Sequence, residues 1–129
     1  MARIKLLIDT DILIDYLKGI RAAKAVFKSR DIDIYCSVLT KKELLNKPGL
    51  KDSERKRIIN IFRRLKIIPI DADISLKYSD LLAKYRNKGL HPPDTIIAAT
   101  AWSKKLPLLT RNRRHFSYIE EIKLSPIYE

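Results

Sequence analysis

At 129 residues, with 46% hydrophobic side chains, the chain is long enough to enclose a real core and too apolar to be disordered. Lys and Arg number 27 against 15 acids, a formal charge of +12 that points to a polyanionic partner, most often nucleic acid. A highly charged, heat-resistant surface would account for the number of charges but not for their imbalance of sign. Apolar runs of only a few residues exclude a membrane-spanning helix, and the lone Cys36 excludes a disulfide framework or a soft-metal cluster. Met1-Ala-Arg-Ile-Lys leads into the first apolar stretch without a signal-peptide core, so a cytoplasmic location is expected.

Ile4, Leu6, Leu7 and Ile8 suit a strand buried on both faces, and Ile12, Leu13, Tyr16 and Leu17 then recur at helical spacing. Between them stands Asp9-Thr10-Asp11. Thr10 or Asp11 is the expected helix cap, which leaves Asp9 at the carboxyl end of a buried strand, where open α/β sheets bind ligands and a carboxylate is costly without a cation. After Gly19, Ala22, Ala23, Val26 and Phe27 read as a second short helix, Asp31 to Ser37 as a strand with Cys36 as a core filler, and Val38 to Asn46 as a helix containing Glu43. Asn46-Lys-Pro-Gly49 ends that helix. Asp52 or Ser53 caps the next, whose buried stripe is Ile58, Ile59, Phe62 and Leu65 under a basic exterior.

Ile67 to Asp71 reads as a short strand, placed at a sheet edge by Pro69. Asp73 is the expected cap of a long helix bearing Ile74, Tyr78, Leu81, Leu82 and Tyr85 on one face, with Gly89 as its stop. Asp94 opens a helix from Thr95 to Lys105 whose small residues suit a central position against the sheet. Leu106 to Thr110 is a buried strand, Arg111 to Phe116 a basic turn and short helix, and Ile122 to Leu124 a last strand. Strands and helices alternate throughout, which predicts an α/β fold: one domain over residues 1–129, its central, mainly parallel sheet of four to five strands flanked by helices on both sides.

In such a fold Asp9, Glu43, Asp94 and Asn112 all belong to connections on the carboxyl side of the sheet. If they converge, three carboxylates crowd together, and hard oxygen ligands of this kind select Mg²⁺ or Mn²⁺ over zinc. Such a site can polarise a phosphoryl oxygen and direct water at phosphorus, the chemistry of phosphodiester hydrolysis. Taken singly, Asp94 also reads as a helix cap and Glu43 as a solvated helix residue.

Four stretches carry a resemblance: Leu7-Ile-Asp-Thr-Asp-Ile-Leu-Ile-Asp15, Ser37-Val-Leu-Thr-Lys-Lys-Glu-Leu44, Pro93-Asp-Thr-Ile-Ile-Ala-Ala-Thr-Ala101 and Leu109-Thr-Arg-Asn-Arg-Arg-His-Phe116. In this order they resemble the four motifs of PIN-domain nucleases, most of all the small VapC-type toxins of prokaryotic toxin–antitoxin pairs. The resemblance implies a PIN fold and a Mg²⁺- or Mn²⁺-dependent endoribonuclease, with Asp9, Glu43 and Asp94 as metal-binding acids and Thr110 as a supporting hydroxyl. Ser37 is a second candidate for that supporting role. It also implies a homodimer and a cognate VapB-type antitoxin whose tail covers the acidic pocket. The family's fourth acidic position falls on Asn112, whose amide oxygen can still ligate but adds no charge; Asp11 is a candidate to compensate, beside its reading as a helix cap.

Arg111, Arg113 and Arg114 flank this expected pocket as candidate phosphate contacts, beside a reading as a solvated face. His115, next to Phe116, reads as a packing residue and Trp102 as helix core or dimer contact. The expected dimer surface is the helix pair between Asp52 and Lys88, with Phe62, Tyr78 and Tyr85. Two competing readings stand: a non-catalytic RNA-binding or scaffold protein on the same fold, and an RNA-processing PIN nuclease without an antitoxin.

Overall fold

The alternation seen in the sequence builds a four-stranded parallel sheet in the computed structural model, which describes residues 3–128. The strands β1 (Ile4–Ile8), β2 (Ile32–Ser37), β3 (Lys66–Ile68) and β4 (Leu108–Leu109) lie in the order β3-β2-β1-β4, all neighbours parallel. The central strand β1 pairs Leu7 with Tyr35 on one side and with Leu108 on the other. Because side chains alternate along a strand, β1 sends Leu7 to one face and Leu6 and Ile8 to the other, and each face has its own core.

The core under Leu6 and Ile8 is closed by α1 (Thr10–Leu17), α2 (Arg21–Lys28), α3 (Val38–Leu45) and α4 (Asp52–Phe62). It encloses Cys36, whose thiol burial pushes up to about 12, so it is an inert filler as expected. The core under Leu7 is closed by α5 (Ala72–Lys84), α6 (Pro92–Lys104) and the short α7 (Arg113–Phe116). Ala98, Ala99 and Ala101 let α6 seat closely there, and α5 and α6 form the most extensive helix–helix contact. No helix among the described residues is long and apolar enough to cross a membrane.

Several local expectations shift. The last strand shrinks to one parallel bridge, Leu108 to Leu124, because β4 itself is two residues long. Asp71, not Asp73, caps α5: its Oδ1 accepts the Ile74 N–H at 2.9 Å. That helix stops at Lys84, and a 3-10 turn (Arg86–Lys88) carries the chain to Gly89, whose φ of 68° reverses it in the left-handed region. On α4, Ile61 takes the core position expected of Ile59. Phe62 and Tyr85 are 3% and 7% exposed, so both belong to the core and offer no spare surface for a dimer; only Tyr78 of the three is half-exposed, beside an exposed Leu76. Trp102 is likewise half-buried, with the Lys77 ammonium 5.0 Å from its ring.

Candidate active site

At the carboxyl edge of β1 and β4, the chain leaves the sheet at Asp9 and at Thr110, 101 residues apart, and the two side chains meet. Asp9 is nearly buried and spends both oxygens: Oδ1 accepts the Thr10 N–H at 2.8 Å and Oδ2 accepts the Thr110 hydroxyl at 2.8 Å. Asp9 therefore caps α1, the role expected of Thr10 or Asp11. The cap does not remove the cost of burying a charge. Desolvation first, then the charge of Asp11, push its carboxyl up to about 6. Asp94 adds to the same effect.

Asp11, read from the sequence as a cap or a substitute ligand, points back toward this corner. Its Oδ2 accepts the Arg111 backbone N–H at 2.9 Å, while its Oδ1 is buried with no hydrogen-bond partner. Burial raises this carboxyl too. Glu43, the sixth of the eight residues of α3, comes up from the second strand–helix unit; it is exposed, and desolvation and then Asp94 raise its carboxyl. Asp94 lies in the first turn of α6, which begins at Pro92, two residues earlier than its expected place at the helix start. Asn112 receives its position from Thr110, whose Oγ1 accepts the Asn112 N–H at 3.0 Å.

These residues converge. Asp9, Thr10, Asp11, Glu43, Asp94 and Asn112 line one cleft of about 240 Å³ together with Ile14, Pro93 and Ile97. The donor set is oxygen throughout, which fits a hard divalent cation in chemistry, and the unpartnered Asp11 Oδ1 fits a site built to be completed by one. Among the described residues no three His, Cys, Asp or Glu side chains grip a single ion as they stand, so the set is a cleft of donors rather than a closed cage.

The remaining candidates divide. His115, expected to pack, is exposed and holds its Nδ1 3.1 Å from Asp94 Oδ2, a partner one motif away that local spacing does not reveal. Ser37 is buried and accepts the Leu39 N–H as the cap of α3, so its hydroxyl serves that helix. Arg113 donates to the Ser125 carbonyl at 2.8 Å, and Arg114 is exposed. Arg111 lies against Asp15 in a two-point ion pair, with Nε–Oδ2 at 2.8 Å and Nη2–Oδ1 at 3.0 Å. Asp15, 5% exposed, is the functional-site neighbour that sequence reasoning missed; its only local signal is an acid at a core position of α1.

Comparison with known proteins bears on the whole arrangement. The family model described as "PIN domain" matches residues 6–122. The chain is 31% identical over 128 residues to "Ribonuclease VapC1" of Methanocaldococcus jannaschii, covering 97% of this chain and 88% of that one. It is 30% identical over 122 residues to "Ribonuclease VapC10" of Mycobacterium tuberculosis, covering 92% and 90%. Among solved structures, a toxin–antitoxin complex from Klebsiella pneumoniae superposes with a TM-score of 0.79 at 33% identity over 96% of this chain and 98% of that one. VapBC2 from Rickettsia felis, bound to a promoter DNA fragment, shares the fold with a TM-score of 0.81 at 21% identity, covering 98% and 100%. With the family's model spanning both faces of the sheet and every wall of the cleft, the chain belongs to the PIN-domain family.

Proposed function

We propose that this chain is a Mg²⁺- or Mn²⁺-dependent endoribonuclease, a single PIN domain over residues 1–129 that acts as the toxin of a VapBC-type pair. One observation carries the reading: a cleft of converging carboxylates, one pushed up to about 6 and another with a buried oxygen left unpartnered, in a chain otherwise rich in cations. Asp9, Glu43 and Asp94 would hold the cation, with Asp11 and Asn112 as further oxygen donors. When bound, the ion would neutralise the crowded acids and polarise a phosphoryl oxygen.

The chain's own residues prepare that step. Thr110 and the Thr10 N–H fix both oxygens of Asp9, so the carboxylate is aimed before any ligand arrives. Ile14, Pro93 and Ile97 set apolar surface beside the cleft's acids. His115 orients Asp94 through its Nδ1 contact. Basic side chains beyond the cleft, Arg114 among them, would meet RNA phosphates.

The names of the relatives support ribonuclease activity and the toxin–antitoxin setting; RNA as substrate, a VapB-type antitoxin, a homodimer and a cytoplasmic location are part of the same proposal. The uncharged Asn112 favours the rival reading of an RNA-binding module. Pulse expression of wild type beside Asp9→Asn, followed by sequencing of RNA ends, tests the choice. New 5′ ends with wild type alone support the nuclease; identical end profiles for the two proteins reject it. Relief of growth arrest by a small reading frame adjacent to the gene separates a toxin from an RNA-processing nuclease, and light scattering measures the dimer.

A further inference from the structure

Asp15 sits one helical turn beyond Asp11 and does not line the cleft. It is nevertheless a buried acid with unusually complete partners. Besides the two-point pair with Arg111, its Oδ2 accepts the Tyr128 hydroxyl at 2.7 Å. Tyr128 arrives on the C-terminal segment, which is tied down by Ser125 N–H to the Leu108 carbonyl and by Arg113 to the Ser125 carbonyl.

Arg111 is thus split between two acids. Its backbone N–H binds Asp11, and its guanidinium is turned to Asp15. The adjacent residue, Asn112, lines the cleft, and the unpartnered Asp11 Oδ1 is within the influence of the Arg111 charge. A released guanidinium would be drawn by charge to the Asp11 carboxylate and would stand beside the cleft acids as an internal cation. We propose that Asp15 is a positioning residue which, with Tyr128, parks the Arg111 guanidinium away from the cleft so that its carboxylates stay open to a divalent cation. This rests on the metal-dependent reading of the cleft. It also reassigns Arg111 from phosphate contact to a side chain whose restraint matters more than its reach.

Calorimetric titration of Mn²⁺ alone into the RNA-free protein tests this, with a thermal melt on each variant. Asp15→Asn keeps the shape and removes the charge that holds Arg111, and its Mn²⁺ affinity is expected to fall roughly 10-fold, the size typical of an altered outer-shell partner. Asp15→Asn/Arg111→Ala removes the competitor as well and is expected to regain affinity to within about threefold of wild type, a coupling only a two-residue cycle reveals. Tyr128→Phe is expected to lie between wild type and Asp15→Asn. A merely structural ion pair predicts the opposite order, with the double variant binding no better than Asp15→Asn. That order, or an Asp15→Asn affinity equal to that of wild type, overturns the proposal. If Asp15→Asn fails to melt cooperatively, Tyr128→Phe with and without Arg111→Ala gives the same comparison on an intact core. Wild type binding Mn²⁺ no better than Asp9→Asn would instead defeat the cleft's metal reading, and this inference with it.

Discussion

The acids of this protein fall into two groups that behave oppositely. Asp33, Asp71 and Asp73 are near the surface and fully answered: Arg3 meets Asp33 at 2.6 Å, Lys104 meets Asp71 at 2.5 Å, and Ser103 and Lys77 meet Asp73 at 2.5 and 2.9 Å. These hydrogen bonds hold all three carboxyls below their usual range. Asp9, Asp11 and Glu43 are raised instead, each chiefly by burial, with Asp11 the next influence on Asp9 and Asp94 the next on Glu43. A chain of formal charge +12 has cations to spare, yet Arg111, whose neighbour Asn112 lines this cleft, gives its guanidinium to Asp15. The difference marks where the protein leaves negative charge for something else to answer.

Removing a cleft acid should have the largest effect. Asp94→Asn should slow single-turnover cleavage of RNA at least about 1,000-fold, the loss of several kcal/mol of transition-state stabilisation, while RNA affinity is kept. A decrease of less than tenfold would put Asp94 among the supporting residues.

The pH dependence of stability probes the same contrast without substrate. A carboxyl raised from its ordinary value near 4 to about 6 adds stability that is full below pH 4 and is lost as pH rises through 6. In chelator, Asp9→Asn should therefore gain on wild type by up to about 3 kcal/mol between pH 4 and 7, from roughly 1.4 kcal/mol per pKa unit. Asp33, Asp71 and Asp73 contribute with the opposite sign, losing stability as pH falls, but they are present in both proteins and cancel in the difference. Denaturant melts across the range that show a constant gap would contradict the burial cost assigned to Asp9.

Metal should offset that gain. At Mn²⁺ a hundred times its Kd, wild type should gain about 2.7 kcal/mol by mass action, visible as a rise in Tm, and Asp9→Asn should gain little. Asn112→Asp adds a charge to the cleft and should raise cleavage only a few-fold, most clearly at low Mg²⁺. From the answered group, Asp71→Ala should lower Tm through loss of the α5 cap and leave the cleavage rate untouched, since it lines no part of the cleft.

Legibility in the sequence followed the same divide. Asp9, Glu43, Asp94 and Asn112 stood at strand–helix junctions that parallel topology gathers to one edge, and the cleft brings them together. Their local roles were harder to read. Cap positions at Asp9, Asp71 and His91 differ by one to three residues from the expected ones: at the first two several polar residues compete for the same N–H groups, and at the third Pro92 and Pro93 form the first turn. Asp15 was invisible because both its partners are nearly 100 residues or more away, Arg111 at 96 and Tyr128 at 113. Phe62 and Tyr85 looked like surplus apolar area until the tertiary packing consumed them. His115 beside Phe116 looked like core, yet only Phe116 turns inward.

The junction of β1 with β4 has a consequence for synthesis. Asp9 is made 101 residues before its Thr110 partner, and the Tyr128 that seats on Asp15 comes later still. Closing so long a loop is entropically expensive, and β4 offers only two residues of pairing to offset it. A nascent chain can have three of the four described strands and six of the helices in place while its first acid still lacks its clamp. The edge of the sheet that carries the cleft is therefore completed late, long after Asp9 itself has been made, and the chain carries its first acid unclamped for that whole interval.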